Sequence, residues 1–298
     1  MLDAARPGQQ RRPRCTPARI EESRRFMSDK SETRDFLWFL AKLVVIVVLI
    51  RSLLVSPFNI PSESMQPRLL IGDYLLVAKW PYGYSRYSLP FHPPLFEGRL
   101  PGGTPERGDV VVFASPRNSH EDWIKRVIGL PGDYLQMRGG IVYLNGQPVP
   151  KRRIEDLVIP VSANMLAAAR ADRALSPCFR PEFEVSDAKG DRLCRYPRFR
   201  ETLPNGKSYE VLDLIDGPVD NSDVFVVPQG HVFVMGDNRD RSADSRVPMA
   251  SGGVGALPID HLVGRAMVSF FSTDGSASLL LPWTWFGAAR PERIGEGF

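Results

Sequence analysis

Two serines one residue apart stand between prolines in Ile60-Pro61-Ser62-Glu63-Ser64-Met65-Gln66-Pro67. Proline fixes its own φ and restricts the residue before it, so the stretch reads as a rigid extended or turning segment. A serine held rigidly is a candidate nucleophile, and its hydroxyl needs a base. The histidines at 92, 120, 231 and 261 lie in settings that suggest no triad, and there is no Gly-x-Ser-x-Gly elbow. His120-Glu121-Asp122 lacks the further ligand spacing of a metal site, so no catalytic metal is expected. Lysine is the remaining base. It acts only when neutral, which requires surroundings that lower its pKa from about 10.4. Lys125 lies in Trp123-Ile124-Lys125-Arg126-Val127-Ile128, a strand-like run. Period-two alternation puts Trp123 and Val127 on the face of Lys125, and Ile124 and Ile128 on that of Arg126. Alternation alone leaves open which cation is buried. A third stretch, Gly236-Asp237-Asn238-Arg239-Asp240-Arg241-Ser242-Ala243-Asp244-Ser245-Arg246, is dense in charged and hydroxyl side chains. Its Asp237, Asn238, Arg239 and Asp240 read as a hydrogen-bonded loop.

The elements that must position these residues begin with an anchor. From Phe36 to Val55, 17 of 20 residues are apolar, roughly 30 Å of helix and one hydrocarbon core. Lys42 and Arg51 interrupt it where long side chains can snorkel. No Ala-x-Ala-like site follows, so an uncleaved transmembrane helix is expected. Arg19, Arg24, Arg25, Lys30 and Arg34 precede it closely, against Arg68 alone beyond. The positive-inside rule then puts the N-terminus in the cytoplasm and residues 56–298 outside. Residues 1–35 read as a disordered polar tail, and Met27 is an alternative start.

Beyond the anchor the chain reads as mainly β. Leu69 to Val77 is a turn leading into a strand, and Val110 to Phe113 and Trp123 to Ile128 are short strands. Residues 82–107 form a loop or a long hairpin. Arg138-Gly139-Gly140 and Asn145-Gly146 are hairpin turns. Residues 154–175 hold a weakly helical piece. Residues 176–223 look irregular, with a possible strand from Lys207 to Asp216. Val224 to Val227, His231 to Met235 and Val263 to Phe271 complete the strands. Trp283, Trp285 and Phe286 suit either a headgroup layer or a core.

Composition narrows the class. With 43% apolar residues, 298 residues can bury one substantial core or two modest ones. A net charge of +4, without nucleic-acid-binding motifs or long basic tracts, speaks against nucleic acid as a partner. Three cysteines exclude a disulfide-dense scaffold. The anchor separates Cys15 from Cys178 and Cys194, which are expected to pair in an oxidising outer compartment.

The stretch Pro61 to Tyr74, the run Ile124-Lys-Arg-Val-Ile-Gly-Leu-Pro-Gly-Asp133 and the third stretch closely resemble, in order, the boxes of bacterial type I signal peptidases. These are membrane-anchored Ser/Lys proteases that remove signal peptides from exported proteins. The resemblance extends loosely from Phe36 to Phe271. It implies that Ser64 is the nucleophile and Lys125 the general base, with the Ser62 hydroxyl and the Ser64 N–H as oxyanion hole. It also implies that Ser242 orients Lys125 while Asp244 and Arg246 brace the site as an ion pair. Ile60, Pro61, Met65, Leu69 and Ile124 would line shallow apolar pockets for small residues, the Ala-x-Ala pattern.

The implied fold is mainly β: a catalytic core from residues 56–133 and 230–282, an inserted second β region at 134–229, and a tail at 283–298. All follow a 1–35 tail and a 36–55 transmembrane helix. The implied partners are preproteins with signal peptides and the lipid bilayer of the bacterial inner membrane, with the catalytic domain on its periplasmic side. No cofactor is implied. A maturase for one conjugation or pilus substrate and an inactive tethered scaffold are the alternatives. Three features depart from the family pattern. Glu63 stands where many members carry a small residue. The glycine-rich Val247 to Gly255 replaces an aromatic-Gly pair, and one span is present where many members have two.

Overall fold

The computed structural model describes residues 17–100, 102–278 and 280–298. The chain divides into two units, Met1–Leu49 and Ile50–Phe298. In the first, helix α1 (Pro17–Leu49) runs for 33 residues. The tail expected through residue 35 is therefore helical from Pro17 onward, while residues 1–16, Cys15 among them, lie outside the described residues. No glycine or proline occurs between Pro17 and Pro57 to stop a helix. A proline at the helix start also loses no hydrogen bond, since that N–H has no intrahelical partner. Glu32–Leu54 has a mean hydropathy of 2.4, and among the described residues it is the one helical segment long and apolar enough to cross a membrane.

In the second unit a wider-wound turn, Ile50–Leu54, leads into strand β1 (Val55–Asn59), which the sequence did not suggest. β2 (Asp73–Ala78), β3 (Val110–Ala114) and β4 (Asp122–Gly129) follow. The chain then makes an excursion. β5 (Tyr134–Arg138), β6 (Ile141–Leu144) and β7 (Gln147–Pro148) turn at the two anticipated hairpins. There Gly139, Gly140, Asn145 and Gly146 all take the positive φ that such tight turns require.

β8 (Lys151–Pro160) takes about the first third of segment 154–175, and helix α2 (Ala163–Ala171) is the helical piece expected there. β9 (Glu184–Ser186) and β10 (Arg192–Thr202) then lie in the stretch read as irregular, and β11 (Ser208–Leu212) within the possible strand from Lys207 to Asp216. β12 (Phe225–Val226) leads back to β13 (His231–Met235), β14 (Leu257–Pro258) and β15 (Leu262–Ser272). Residues 80–100 carry only short turns, and the side chain of Arg99 donates to the carbonyls of Tyr82 and Gly83 at 3.1 and 2.9 Å.

One seven-stranded sheet, ordered β1-β2-β15-β3-β4-β13-β14, carries the site. β3 sits between β15 and β4 and is buried along its whole length, which accounts for its unbroken apolar run. β4 and β13 are hydrogen-bonded neighbours, Val127 opposite Val234 and Arg126 opposite Met235. The chain between them thus leaves and returns at one place. It builds two small sheets, β12-β5-β6-β7 and β11-β10-β8 with β9 beside β10.

Cys178 and Cys194 are joined by a disulfide, as expected. At helix α3 (Thr284–Ala288) Trp285 and Phe286, with Trp283 just before it, are 48%, 88% and 69% exposed, so the core reading of that cluster does not hold.

Candidate active site

Ser64 lies in a tight turn after β1, held by Gln66 N–H donating to Glu63 O and Leu69 N–H to Met65 O. The carbonyl of Ser64 accepts from Asn238 N–H at 3.1 Å, which ties this turn to the loop after β13. Close approach there depends on Gly236. A β-carbon at that position would lie 2.5 Å from Ser64 O and 2.3 Å from Ser242 Oγ. The N–H of Ser64 has no hydrogen-bond partner among the described residues. Ser62 Oγ is 3.4 Å from Ser64 Oγ.

β4 delivers Lys125, whose Nζ lies 2.9 Å from Ser64 Oγ and donates to Ile124 O at 2.8 Å. The lysine is 4% exposed. Desolvation brings its pKa down to about 8, against the opposing fields of Asp244 and Asp237. Trp123 lies on the same face, its ring centroid 5.8 Å from Nζ. Arg126 is buried as well, which alternation left open. It is held by a bidentate pair with Asp237, at 2.8 and 2.7 Å, and by Gly108 O. A paired guanidinium stays charged, whereas a lysine without a carboxylate in contact yields its proton more readily.

Asp244 and Arg246 form the expected ion pair, with Arg246 Nε and Nη2 each 2.9 Å from a carboxylate oxygen. Burial pushes the Asp244 carboxyl up, but Arg246 and the Gly236 N–H outweigh this and hold it below the ordinary range. Ser242 departs from expectation. Its hydroxyl is packed beside Gly236 and is not a partner of Lys125, whose bonds go to Ser64 and Ile124. Asp240 and Arg239 of the third stretch hold the loop in place. Asp240 accepts from Leu214 N–H, and Arg239 forms a buried bidentate pair with Glu201 of β10 at 2.7 and 2.6 Å. Nothing local in the sequence singles out Glu201.

A cleft of about 500 Å³ opens over Ser64 and Lys125. Ile60, Pro61 and Ile124 line it, as expected, joined by Phe58, Val112 and Ala243. Met65 and Leu69 do not: both are fully buried in the cluster behind Ile60 and Ile124, so they shape its floor without reaching it. The sequence marks them only as apolar, and a turn can send such residues to either side. Glu121, Asp122 and Arg241 give the cleft a charged rim. The histidines bond elsewhere, His92, His231 and His261 each to a backbone carbonyl.

Comparison with known proteins places the chain in a family. Residues 33–271 match the family model described as signal peptidase, peptidase S26. The signal peptidase I of Rickettsia canadensis is 36% identical over 90% of this chain and 94% of its own length. That of Rickettsia typhi is 34% identical over the same shares. A signal peptidase I structure from Enterococcus faecalis is 27% identical, with a TM-score of 0.26, over 54% of this chain and 96% of that one. The chain belongs to the signal peptidase family, peptidase S26, and is a serine endopeptidase of that family.

Proposed function

We propose that this protein removes signal peptides from exported preproteins by a Ser64–Lys125 dyad, cutting after Ala-x-Ala-type sites. The observation that carries the reading is the 2.9 Å approach of a buried Lys125 Nζ to Ser64 Oγ. One N–H of Lys125 is committed to Ile124 O, and in the neutral amine the lone pair is free to accept the Ser64 proton. Ser64 Oγ attacks the scissile carbonyl as Lys125 takes that proton. The oxyanion that forms meets the unpartnered Ser64 N–H and the Ser62 hydroxyl. Lys125 then protonates the leaving amine, giving an acyl-enzyme, and a water activated by the same lysine hydrolyses the ester. Ile60, Pro61 and Ile124 would accept the small side chains before the cut.

The cationic residues before the apolar helix support an N-terminus in the cytoplasm and catalysis on the periplasmic face of the inner membrane. Cleavage of a panel of Ala-x-Ala precursors by detergent-solubilised protein tests the reading. Ser64→Ala and Lys125→Ala should each abolish cleavage with the fold intact, and activity surviving in either variant removes that residue from the chemistry. Broad cleavage fits a general peptidase, one cleaved substrate a specialised maturase, and none a scaffold.

A further inference from the structure

Three carboxylates near the dyad are each paired with an arginine. Asp237 is held by Arg126 and Asp244 by Arg246, all four side chains being at most 6% exposed. Glu63, between the two serines, is the third. Its carboxylate lies 3.2 Å from Arg241 Nη2, at the rim of the cleft. This pair is the loosest, with side chains 16% and 28% exposed. Its arginine is braced from the inserted region, by a second carboxylate and a ring. Arg241 Nη2 also lies 3.3 Å from Asp172, and the guanidinium stacks 5.1 Å over the ring of Phe179.

Asp172 and Phe179 belong to the inserted region. Phe179 follows Cys178, whose disulfide to Cys194 ties this segment to β10. The Phe179 ring also stacks on Phe183, which packs against Tyr196 of β10. A continuous chain of contacts thus runs from the disulfide through Phe179 and Arg241 to the residue beside the nucleophile.

We infer that Arg241 is a positioning residue for the Ser62–Ser64 turn, and that the disulfide-held segment 172–183 keeps it in place. The inference rests on the Ser64–Lys125 reading above. The physical reason is charge. An unpaired Glu63 carboxylate opposes the negative charge that develops on the substrate oxygen between Ser62 and Ser64. It also favours the ammonium form of Lys125, adding to Asp244 and Asp237, the carboxylates already acting on that lysine. Burial pushes the Glu63 carboxyl up while Arg241 pulls it down; where Glu63 is charged the guanidinium offsets both effects, and its bond fixes the turn from the side.

The test uses the full chain in detergent with an Ala-x-Ala precursor. Arg241→Ala should lower kcat roughly 10- to 100-fold, less than or equal to the loss of one oxyanion donor. KM should change little, and the acidic limb of the rate profile should move to higher pH. Adding Glu63→Gln to Arg241→Ala should recover most of the lost kcat, which a purely structural role for Arg241 does not predict. Phe179→Ala, outside the cleft, should lower kcat in the same direction by a smaller factor. An unchanged kcat in Arg241→Ala, or no recovery in the double variant, overturns the inference. Inactivity of the wild type, or activity in Ser64→Ala, would instead strike the dyad reading. In that event backbone hydrogen exchange decides the positioning role: residues 61–66 should exchange faster in Arg241→Ala and Phe179→Ala than in the wild type, and equal rates overturn it.

Discussion

Lys79 and Lys125 are both buried, and desolvation brings each down to about 8, yet only Lys125 meets a serine hydroxyl. Lys79 Nζ donates to the carbonyl of Ser88. A lowered pKa is therefore permissive, and of the two only Lys125 has the geometry of the proposed base. Two measurements follow at this scale. The acidic limb of kcat/KM should report a group near 8, with activity rising as pH passes through it. A limb appearing only near the ordinary 10.5 would contradict a desolvated base. The same shift has a cost to folding. Between about 8 and 10.5 the unfolded chain binds a proton that folded Lys125 does not, so stability rises with pH across that window. Below it the charge is buried at the full penalty, about 3 kcal/mol for a shift of this size. Lys125→Met should therefore be inactive but more stable than the wild type at pH 7, by about 1–3 kcal/mol. The advantage should shrink above pH 10. Thermal melts at the two pH values check this, and a variant less stable at pH 7 would show that the Lys125 contacts outweigh its desolvation.

At the scale of elements, the site depends on two turns meeting edge to edge, one after β1 and one after β13. Their contact passes through Gly236, where a β-carbon has no room beside Ser64 O and Ser242 Oγ. Gly236→Ala should cost about 1–3 kcal/mol of stability, as overpacking does. It should also lower kcat about 10²-fold, since displacing a reacting group by about 1 Å loses that much. Wild-type kcat in this variant would mean that the two turns need not touch. How much of this was legible follows from the kind of signal each element emits. The hairpins at Gly139-Gly140 and Asn145-Gly146 were readable because positive φ demands particular residues. β3 was readable because burial on both faces leaves an unbroken apolar run. β8 and β10 were missed because they alternate arginines and acids with half-buried apolar residues, and their partners lie far apart in sequence. Ser64 and Lys125 were singled out by residue type and by family resemblance. Glu201 and the inward turn of Met65 and Leu69 depend on tertiary packing that no local pattern encodes.

For the whole molecule the decisive feature is the division at Leu49 and Ile50. The seven-stranded sheet, the cleft and the disulfide all belong to the second unit. Its boundary is set by hydrogen bonds. The carbonyl of Leu54 accepts from Lys79 N–H at 3.0 Å, and that of Leu53 from Tyr84 Oη at 2.7 Å. Residues 50–54 therefore belong with the sheet, although the apolar segment runs on through them to Leu54. Helix α1, in contrast, leaves Phe36, Trp38 and Phe39 about three-fifths exposed, as a segment for lipid would. A chain beginning at Ile50 should accordingly unfold in one cooperative transition, because it keeps its own core. It should cleave a soluble Ala-x-Ala peptide within roughly tenfold of the full chain, since no cleft residue is lost and only the ordering of substrate at a bilayer is given up. Stable insertion into vesicles should disappear with the apolar span. Weak vesicle association that falls on Trp283→Ala and Phe286→Ala would assign the exposed aromatic cluster to the headgroup layer. Failure of the shortened chain to melt cooperatively would show that residues before Ile50 are needed to complete the fold, and the two-unit division would have to be abandoned.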